Sequence, residues 1–241
     1  MRTIRYQEIA DSLRGRIATV GPGHLLPSES DLSGEFRVSR VTVRRALELL
    51  REEGLVDSRQ GFGWYVSTEP VVQQLSSLDT IEGQLAGRGV KAQRRVIEFA
   101  FVDAPAHVAS VLGVGQVLRV KRVNLADGGP FAVVTVWCPA ELGQHLSRRD
   151  VESKPFYELL GVALRGATQR IGAAAVGQAD ADLLRIPVDS PVLRCERITT
   201  DTTGTPILMS EHIFPAHRTE FVVELPFAEP SITPSGLRLV E

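Results

Sequence analysis

The chain has 241 residues, of which 43% are hydrophobic and 23% charged, which is enough for one large or two ordinary domains. Its formal net charge is −2 at pH 7, and residues 1–68, with ten arginines and nine acidic residues, are also nearly neutral. Any affinity for nucleic acid must therefore come from the placement of charge and from dimerisation. No apolar stretch approaches the ~18 residues of a membrane helix, and no apolar signal core follows the N-terminus. We expect a cytoplasmic protein that does not contact a membrane.

The sequence contains no recognisable catalytic or metal-binding motif. Cys138 and Cys195 lie in apolar or alternating runs without paired-cysteine spacing, and we expect them to be reduced core residues. The five histidines have no metal-ligand spacing. Gly-x-Ser-x-Gly, a phosphate-binding glycine loop and His-Glu-x-x-His are all absent. We therefore predict no catalytic residue, no metal ion and no cofactor.

Three helices are predicted in the N-terminal part. Helical periodicity of apolar residues covers Tyr6–Thr19, and the glycines and proline that follow end this first helix. Ser28 caps a second, short helix that ends near Phe36, and Ser39 caps a third. Two strands, predicted at 55–58 and 64–67, come after the third helix. This order of elements is that of a winged helix.

The third helix has a buried stripe and an opposite polar face. Apolar residues recur from Val43 to Leu50 at the spacing of one helix face. Arg40 and Arg44 lie one turn apart near the N-terminus of the helix and point away from that stripe. A helix with this arrangement can pack by one face and present two cations with the other.

The pattern of predicted helices and strands changes in the rest of the chain. After the predicted DNA-binding domain at 1–68 we expect a polar linker at 69–77, a second domain at 78–227 and a C-terminal tail at 228–241. Predicted helices lie near 78–88, 105–112, 140–146, 156–160 and 178–184. Predicted strands lie at 94–103, 116–127, 131–138, 164–176, 192–201, 207–214 and 221–225. The fold class is α+β, with a mainly antiparallel sheet in the second domain.

One segment of the second domain repeats. Residues 117–123 match residues 192–198 at an offset of 75, and Pro130 matches Pro206 at an offset of 76. The repeat predicts a duplicated unit of a helix and a hairpin within one sheet. Two matches this short can also arise by chance.

The N-terminal motifs resemble the DNA-binding domain of GntR-type regulators. The matching segments are Leu26-Pro27-Ser28-Glu29, Val38–Leu47, Glu53-Gly54-Leu55-Val56 and Gln60-Gly61-x-Gly63. The second domain resembles the UTRA effector-binding domain of the HutC branch of that family. Its matching segments are Leu118-x-x-x-Arg122, Asp127-Gly128-x-Pro130, Pro155-x-Tyr157-x-Leu159-Leu160 and Phe214-Pro215-x-x-Arg218-x-x-Phe221. The resemblance implies a chorismate-lyase-like fold, dimerisation through this domain and a small-molecule effector.

DNA contacts are expected from the helix starts and from the turn between the two strands. Arg40 and Arg44 can reach guanine edges or phosphates in a major groove, while Val41 and the Thr42 methyl group can meet a thymine methyl group. Backbone N–H groups at the starts of the second and third helices suit phosphates. The predicted DNA-binding residues are Ser28, Glu29, Ser39, Arg40, Val41, Thr42, Arg44, Arg59, Gln60, Gly61, Phe62 and Gly63. Alternatively, Arg40 and Arg44 form surface pairs with Glu48 or other nearby acids.

Two residues depart from the family pattern in this domain. Ser30 stands where relatives often have arginine, and Phe62 stands where they often have a basic residue at the wing tip. Both departures remove a cation from the expected DNA-binding surface. Phe62 either packs on sugars in the groove or lies on the first helix.

The effector site is expected around Arg122 and Asn124, which share a strand face with apolar residues. A charge on such a face indicates an anionic ligand or a buried salt bridge. Relatives that sense sugar phosphates have acids where this chain has Val134 and Leu208, so the resemblance implies a small carboxylate or phosphonate with an apolar body. The predicted effector-binding residues are Arg122, Asn124, Val134, Tyr157, Arg197, Leu208, Ser210 and Phe214. We expect a structural role for His212 and for Arg218.

These features predict a homodimeric transcription repressor that binds an inverted repeat in double-stranded DNA and is released by a small anionic metabolite. Two other functions stay open. An enzyme with a chorismate-lyase-like domain would form a product. An architectural DNA-binding protein would show no thermal shift with any metabolite.

Overall fold

The computed structural model describes residues 5–67, 71–75 and 90–225. Its N-terminal domain consists of three helices and an antiparallel hairpin, in the order that the sequence predicts. The bounds are α1 Arg5–Ile17, α2 Glu29–Phe36, α3 Arg40–Glu52, β1 Val56–Arg59 and β2 Gly63–Val66. The predicted winged helix is therefore confirmed, and β1 and β2 form the wing.

Local signals explain where these helices begin. The Ser28 side chain accepts a hydrogen bond from the backbone N–H of Asp31, whose carboxylate in turn accepts one from the Ser28 backbone N–H. Ser39 caps α3 through the backbone N–H of Thr42. Such caps satisfy the first N–H groups of a helix, which have no partner within it. The predicted stripe from Val43 to Leu50 is fully buried against α1 and α2.

The second domain contains a six-stranded antiparallel sheet with helices on both faces, and the α+β prediction is confirmed. The sheet order is β4-β5-β6-β9-β8-β7. Its strands are β4 Ala92–Asp103, β5 Gln116–Ala126, β6 Gly129–Pro139, β7 Leu164–Ala175, β8 Pro191–Asp201 and β9 Pro206–Pro215. The helices are α4 Ala106–Leu112, α5 Ala140–Gly143, α6 Arg148–Ser153, α7 Phe156–Leu159 and α8 Gln178–Leu184. Two short strands, β3 Val71–Gln74 and β10 Thr219–Val222, pair in parallel apart from this sheet.

The internal repeat appears as two similar units of the sheet. One unit runs β4–α4–β5–β6 and the other runs β7–α8–β8–β9, and they meet where β6 pairs with β9. The predicted duplication is thus confirmed at the level of topology. The offset of 75 makes Arg122 on β5 the counterpart of Arg197 on β8, which places equivalent arginines on either side of the central strand pair.

The two faces of the sheet are buried by different elements. Phe156 of α7 and Val151 of α6 pack with Leu118 and Val134 on one face. Helices α4 and α8 cover the opposite face, where α8 packs with Val123. We call these the α7 face and the α8 face. Because side chains alternate along a strand, neighbouring residues of β5 and β6 serve different faces.

Three features differ from the sequence-based expectations or lie beyond them. The segment 69–77, expected to be a linker, contains β3, which pairs with β10 from the far end of the domain. Helix α6 was not predicted, because in its polar sequence only Val151 is fully buried. The helix expected near 78–88 and the C-terminal tail expected at 228–241 lie outside the described residues.

The two cysteines are buried free thiols, as expected. Burial raises the pKa of both Cys138 and Cys195 to about 12, so both thiols are neutral. Among the helices that the structure describes, none is long and apolar enough to cross a membrane.

Candidate functional site

The N-terminal end of α3 presents an exposed apolar side chain between two exposed cations. Val41 is 78% exposed, which is unusual for valine, and Arg40 and Arg44 flank it on the same outer surface. The stripe that begins at Val43 faces the opposite way and is buried. This end of α3 thus combines the cationic and apolar groups that contact base edges and thymine methyl groups in a major groove.

Both arginines have partners on α2. The Arg44 guanidinium donates to both carboxylate oxygens of Glu29, at 3.0 and 2.8 Å, and Arg40 donates to the Ser30 hydroxyl at 2.8 Å. The Arg44 hydrogen bond holds the pKa of Glu29 below its usual value, although partial burial acts the other way. Arg44 therefore forms a surface ion pair, as in the alternative interpretation of the sequence, and its hydrogen-bonded partner is Glu29 and not Glu48. Glu29 also accepts from the Trp64 indole at 3.1 Å, so it links α2, α3 and the wing.

The wing tip differs from our expectation at one residue. Arg59, Gln60 and Gly61 are exposed, but Phe62 is only 6% exposed and lies against the second domain. Phe62 therefore does not lie on α1, because the apolar α8 face and the His217 ring bury it. Gly61 and Gly63 have φ values of 77° and 98°, which glycine adopts without strain at this turn.

A cavity of about 490 Å³ opens on the α7 face of the sheet. Seven of the eight predicted effector-binding residues surround it. The lining residues are Arg122, Asn124, Val134, Val136, Pro155, Phe156, Tyr157, Arg197, Leu208, Ser210 and His212. The eighth, Phe214, does not line the cavity. It is fully buried behind the cavity, where its ring stacks on His212 and meets Phe221 edge-on.

Strand register explains why distant residues meet at this cavity. Arg122 pairs with Val134 across β5 and β6, and Arg197 pairs with Ser210 across β8 and β9. Every second residue of these four strands faces the α7 side, and α7 with Pro155 completes the enclosure.

The described residues that line the cavity include two arginines and no carboxylate. Arg197 donates to the side-chain amide oxygen Oε1 of Gln169 at 2.7 Å and to the Tyr157 hydroxyl at 3.1 Å, and both of these partners are neutral. Among the ion pairs between described residues, none involves Arg197. Arg122 is 8% exposed, so its charge also lies away from bulk water. An anionic group is the ligand chemistry that guanidinium groups shielded from bulk water recognise.

His212 lies at the cavity, although the sequence analysis assigned it a structural role. Its Nε2 is 2.9 Å from the Ser210 hydroxyl. Desolvation, together with repulsion from Arg197 and Arg122, lowers the pKa of His212 to about 3, so the ring is neutral near pH 7. Val136 and Phe156 were also missed, although strand alternation places Val136 on the same face as Val134, which the family resemblance indicated. Phe156 has no comparable signal, because α7 reaches the cavity only through tertiary packing.

Comparison with known proteins agrees with both halves of this description. Residues 5–66 match the gntR family of bacterial regulatory proteins, and residues 87–220 match the UTRA domain. The chain is 32% identical over 97% of its length to the HTH-type transcriptional regulator Rv0792c of Mycobacterium tuberculosis, covering 89% of that protein. It is 28% identical over 90% of its length to the HTH-type transcriptional repressor NagR of Bacillus subtilis, covering 93% of it.

A solved structure has the same arrangement of domains. PhnF from Mycobacterium smegmatis superposes with a TM-score of 0.62 at 25% identity, covering 90% of this chain and 98% of that one. The winged helix, the UTRA sheet with its cavity and these relatives all lead to one assignment. The chain belongs to the GntR family, in its HutC-type branch, and is a DNA-binding transcription regulator controlled by a small-molecule ligand.

Proposed function

We propose that this regulator is a cytoplasmic homodimeric repressor that leaves an inverted-repeat operator when a small anionic effector enters the cavity. The observation that carries the proposal is the pair of arginines, Arg122 and Arg197, at a cavity whose described lining contains no acid. Two relatives, NagR of Bacillus subtilis and MngR of Escherichia coli, are named as repressors, which supports repression here.

The cavity walls favour a particular kind of anion. Val134, Val136, Leu208 and Phe156 present apolar surface beside the polar groups of Arg122, Asn124, Arg197 and Ser210. A neutral His212 adds one hydrogen-bonding group without adding charge. We therefore propose a carboxylate or phosphonate that carries an apolar body, in preference to a polyhydroxylated sugar.

Dimerisation is supported by the charge of the DNA-binding domain. Residues 1–68 are nearly neutral, so one winged helix gains little from phosphate attraction. In a dimer, two copies of α3 bind successive half-sites, so the number of DNA contacts doubles while the entropy of association is lost only once. A two-fold dimer also matches an inverted repeat. We propose that the UTRA domain provides the contact between the two copies.

Selection of DNA and screening of ligands together test this function. The purified protein is used to select duplexes from a random-sequence pool, and sedimentation gives its oligomeric state. A library of carboxylates, phosphonates and neutral sugars is then screened by thermal shift, and each ligand found is tested for release of the selected duplex. We expect a dimer, an inverted repeat and release by an anion. A monomer that binds DNA at full strength, or release by neutral sugars alone, would contradict the proposal.

A further inference from the structure

The wing tip is joined to the sensor domain by an aromatic cluster. The Phe62 ring lies 4.2 Å from the His217 ring and 5.5 Å from the Tyr65 ring, measured between centroids. Tyr65 of β2 lies 5.0 Å from His217, which follows β9. We call Phe62, Tyr65 and His217 the wing dock. In it, two residues of the DNA-binding domain meet one residue of the UTRA domain.

The wing dock is part of a hydrophobic core. Phe62 and Tyr65 belong to the same buried cluster as Val123, Val133 and Leu184 on the α8 face. Burial lowers the pKa of His217 to about 3, and Arg218 and the wing residue Arg59 act in the same direction, so the His217 ring is neutral near pH 7. A neutral aromatic ring in an apolar cluster favours contact with Phe62 and Tyr65.

A second contact links the same two domains beside the wing dock. The Arg218 side chain is 3% exposed and donates to the Pro130 carbonyl oxygen at 2.7 Å. A Cβ atom on Gly23 would lie about 2.5 Å from the Arg218 guanidinium, and the φ of Gly23 is 71°, so any other residue would be strained there and would displace the Arg218 side chain. The Gly23 N–H donates to the Val66 carbonyl oxygen at 2.9 Å, which ties this turn to strand β2 of the wing. The wing is therefore held to the sensor domain at two points.

The wing dock and the ligand cavity share strands but lie on opposite faces of the sheet. Val123 belongs to the dock cluster, while its chain neighbours Arg122 and Asn124 line the cavity. On β6, Val133 belongs to the cluster and Val134 lines the cavity. Val123 and Val133 are register partners, so a shift of β5 or β6 toward a ligand also moves the surface that holds Phe62.

We propose that the wing dock is an autoinhibitory contact that lowers the affinity of this regulator for DNA. Arg59, Gln60 and Gly61 at the wing tip are exposed, but while Phe62 is buried against the UTRA domain the wing is not free to turn with α3 toward a minor groove. Full operator affinity then requires the tip to leave the dock. The direction of control rests on the proposed repressor function: an effector that favours the docked state releases DNA.

Two substitutions on opposite sides of the wing dock test this proposal without an effector. Phe62→Ala acts from the wing, and His217→Ala acts from the UTRA domain, away from the α3 surface. Because apparent affinity falls with the fraction of binding-competent protein, each should raise affinity for a duplex selected by the wild-type protein by about tenfold. Fluorescence anisotropy measures this affinity. Phe101→Ala, which removes a half-exposed ring on β4, is the matched control and should change nothing.

The outcomes separate the dock from a direct DNA contact. If Phe62 contacted DNA, Phe62→Ala would weaken binding and His217→Ala would leave it unchanged, and that result would overturn the proposal. Unchanged affinity in both variants would overturn it as well. A melting cycle of the two single variants and the double variant needs no DNA, and we expect their losses to be non-additive because both remove one contact. If the wild-type protein selects no duplex, the repressor proposal fails, while this cycle still shows whether the dock forms.

Discussion

The arginines of the DNA-binding domain and those of the cavity have opposite surroundings. Arg40 and Arg44 on α3 are exposed, and Arg44 forms an ion pair with Glu29 at the protein surface. Arg122 and Arg197 instead line a cavity between the sheet and α7. Water and salt weaken an exposed ion pair, so Arg44 can exchange Glu29 for a phosphate or a base at little cost. An arginine in the cavity can exchange partners only with a molecule that enters.

This difference assigns the two pairs to different tasks. The exposed pair suits a polymer whose charges are spaced along a surface, and its strength should depend on salt. The cavity pair suits a small ligand, and its strength should depend on the shape and charge of that ligand. The predictions below break or sharpen this comparison, beginning with the largest expected effect.

Removal of a cavity arginine should uncouple the two sites. We expect Arg122→Ala to leave operator binding nearly intact and to weaken an effector found by screening at least tenfold, because a charge-assisted contact shielded from water is lost. Operator binding, melting and effector titration on this one variant measure the effect. If Arg122 were a structural ion pair, melting would fall while the folded protein still responded to effector. A stable variant that is released at wild-type effector concentrations would contradict our assignment.

Removal of an exposed arginine should affect DNA alone. Arg44→Ala should weaken operator binding about tenfold to hundredfold if the side chain reads a base. If it meets a phosphate, the slope of log affinity against log salt should fall by about one. Melting should change little, because Arg44 lies opposite the buried stripe of α3. Arg51→Ala, at the other end of the same helix, is the control. Equal losses of affinity in both variants would contradict our assignment of the N-terminal end of α3 as the DNA-binding end.

The buried histidines should make stability depend on pH. Because folding lowers the pKa of His217 from 6.5 to about 3, the folded state binds fewer protons than the unfolded chain between these values. Stability is therefore complete above about pH 6.5 and falls as the pH is lowered, by about 2 kcal/mol from His217 between pH 7 and pH 5. His217→Phe keeps an aromatic ring and should weaken the dependence of the melting temperature on pH in this range, leaving the part that His212 contributes. An unchanged profile would mean that His217 titrates normally.

The smallest effect is expected at the partner of the exposed pair. Glu29→Gln removes a carboxylate that competes with DNA for Arg44 but keeps a hydrogen-bond acceptor for Trp64. We expect operator affinity to rise about twofold to fivefold at low salt and the gain to vanish at high salt, as for a screened surface charge. Asp31 lies in the capping box of α2, so Asp31→Asn is not a suitable control, whereas Glu35→Gln on the same helix is. A loss of affinity would show that Glu29 positions Arg44 for DNA.

The predictable parts of this molecule are those with local causes. Ser28 and Ser39 cap helices through neighbours three residues away, and strand alternation alone grouped Arg122 with Asn124. The parallel pairing of β3 with β10 could not be predicted, because its partner lies at the far end of the domain. Phe62 is similar, since its burial depends on His217 and has no local signal.

Phe214 shows a further limit of prediction from the sequence. Phe214 was grouped with the cavity through the family resemblance, and it shares a strand face with Ser210, yet it lies too far along β9 and is buried behind His212. A strand face indicates which side of the sheet a residue occupies but not how far the cavity extends along it. That boundary is set by α7, which closes over the sheet through tertiary contacts.

Reciprocal titration tests most directly whether the cavity controls the DNA-binding surface. Operator affinity is measured with and without a saturating effector, and effector affinity is measured with and without saturating operator. Linkage requires the two ratios to be equal, and we expect each to be about tenfold or more, which corresponds to about 1.4 kcal/mol of coupling. An effector that binds in the cavity and leaves operator affinity unchanged would contradict the account.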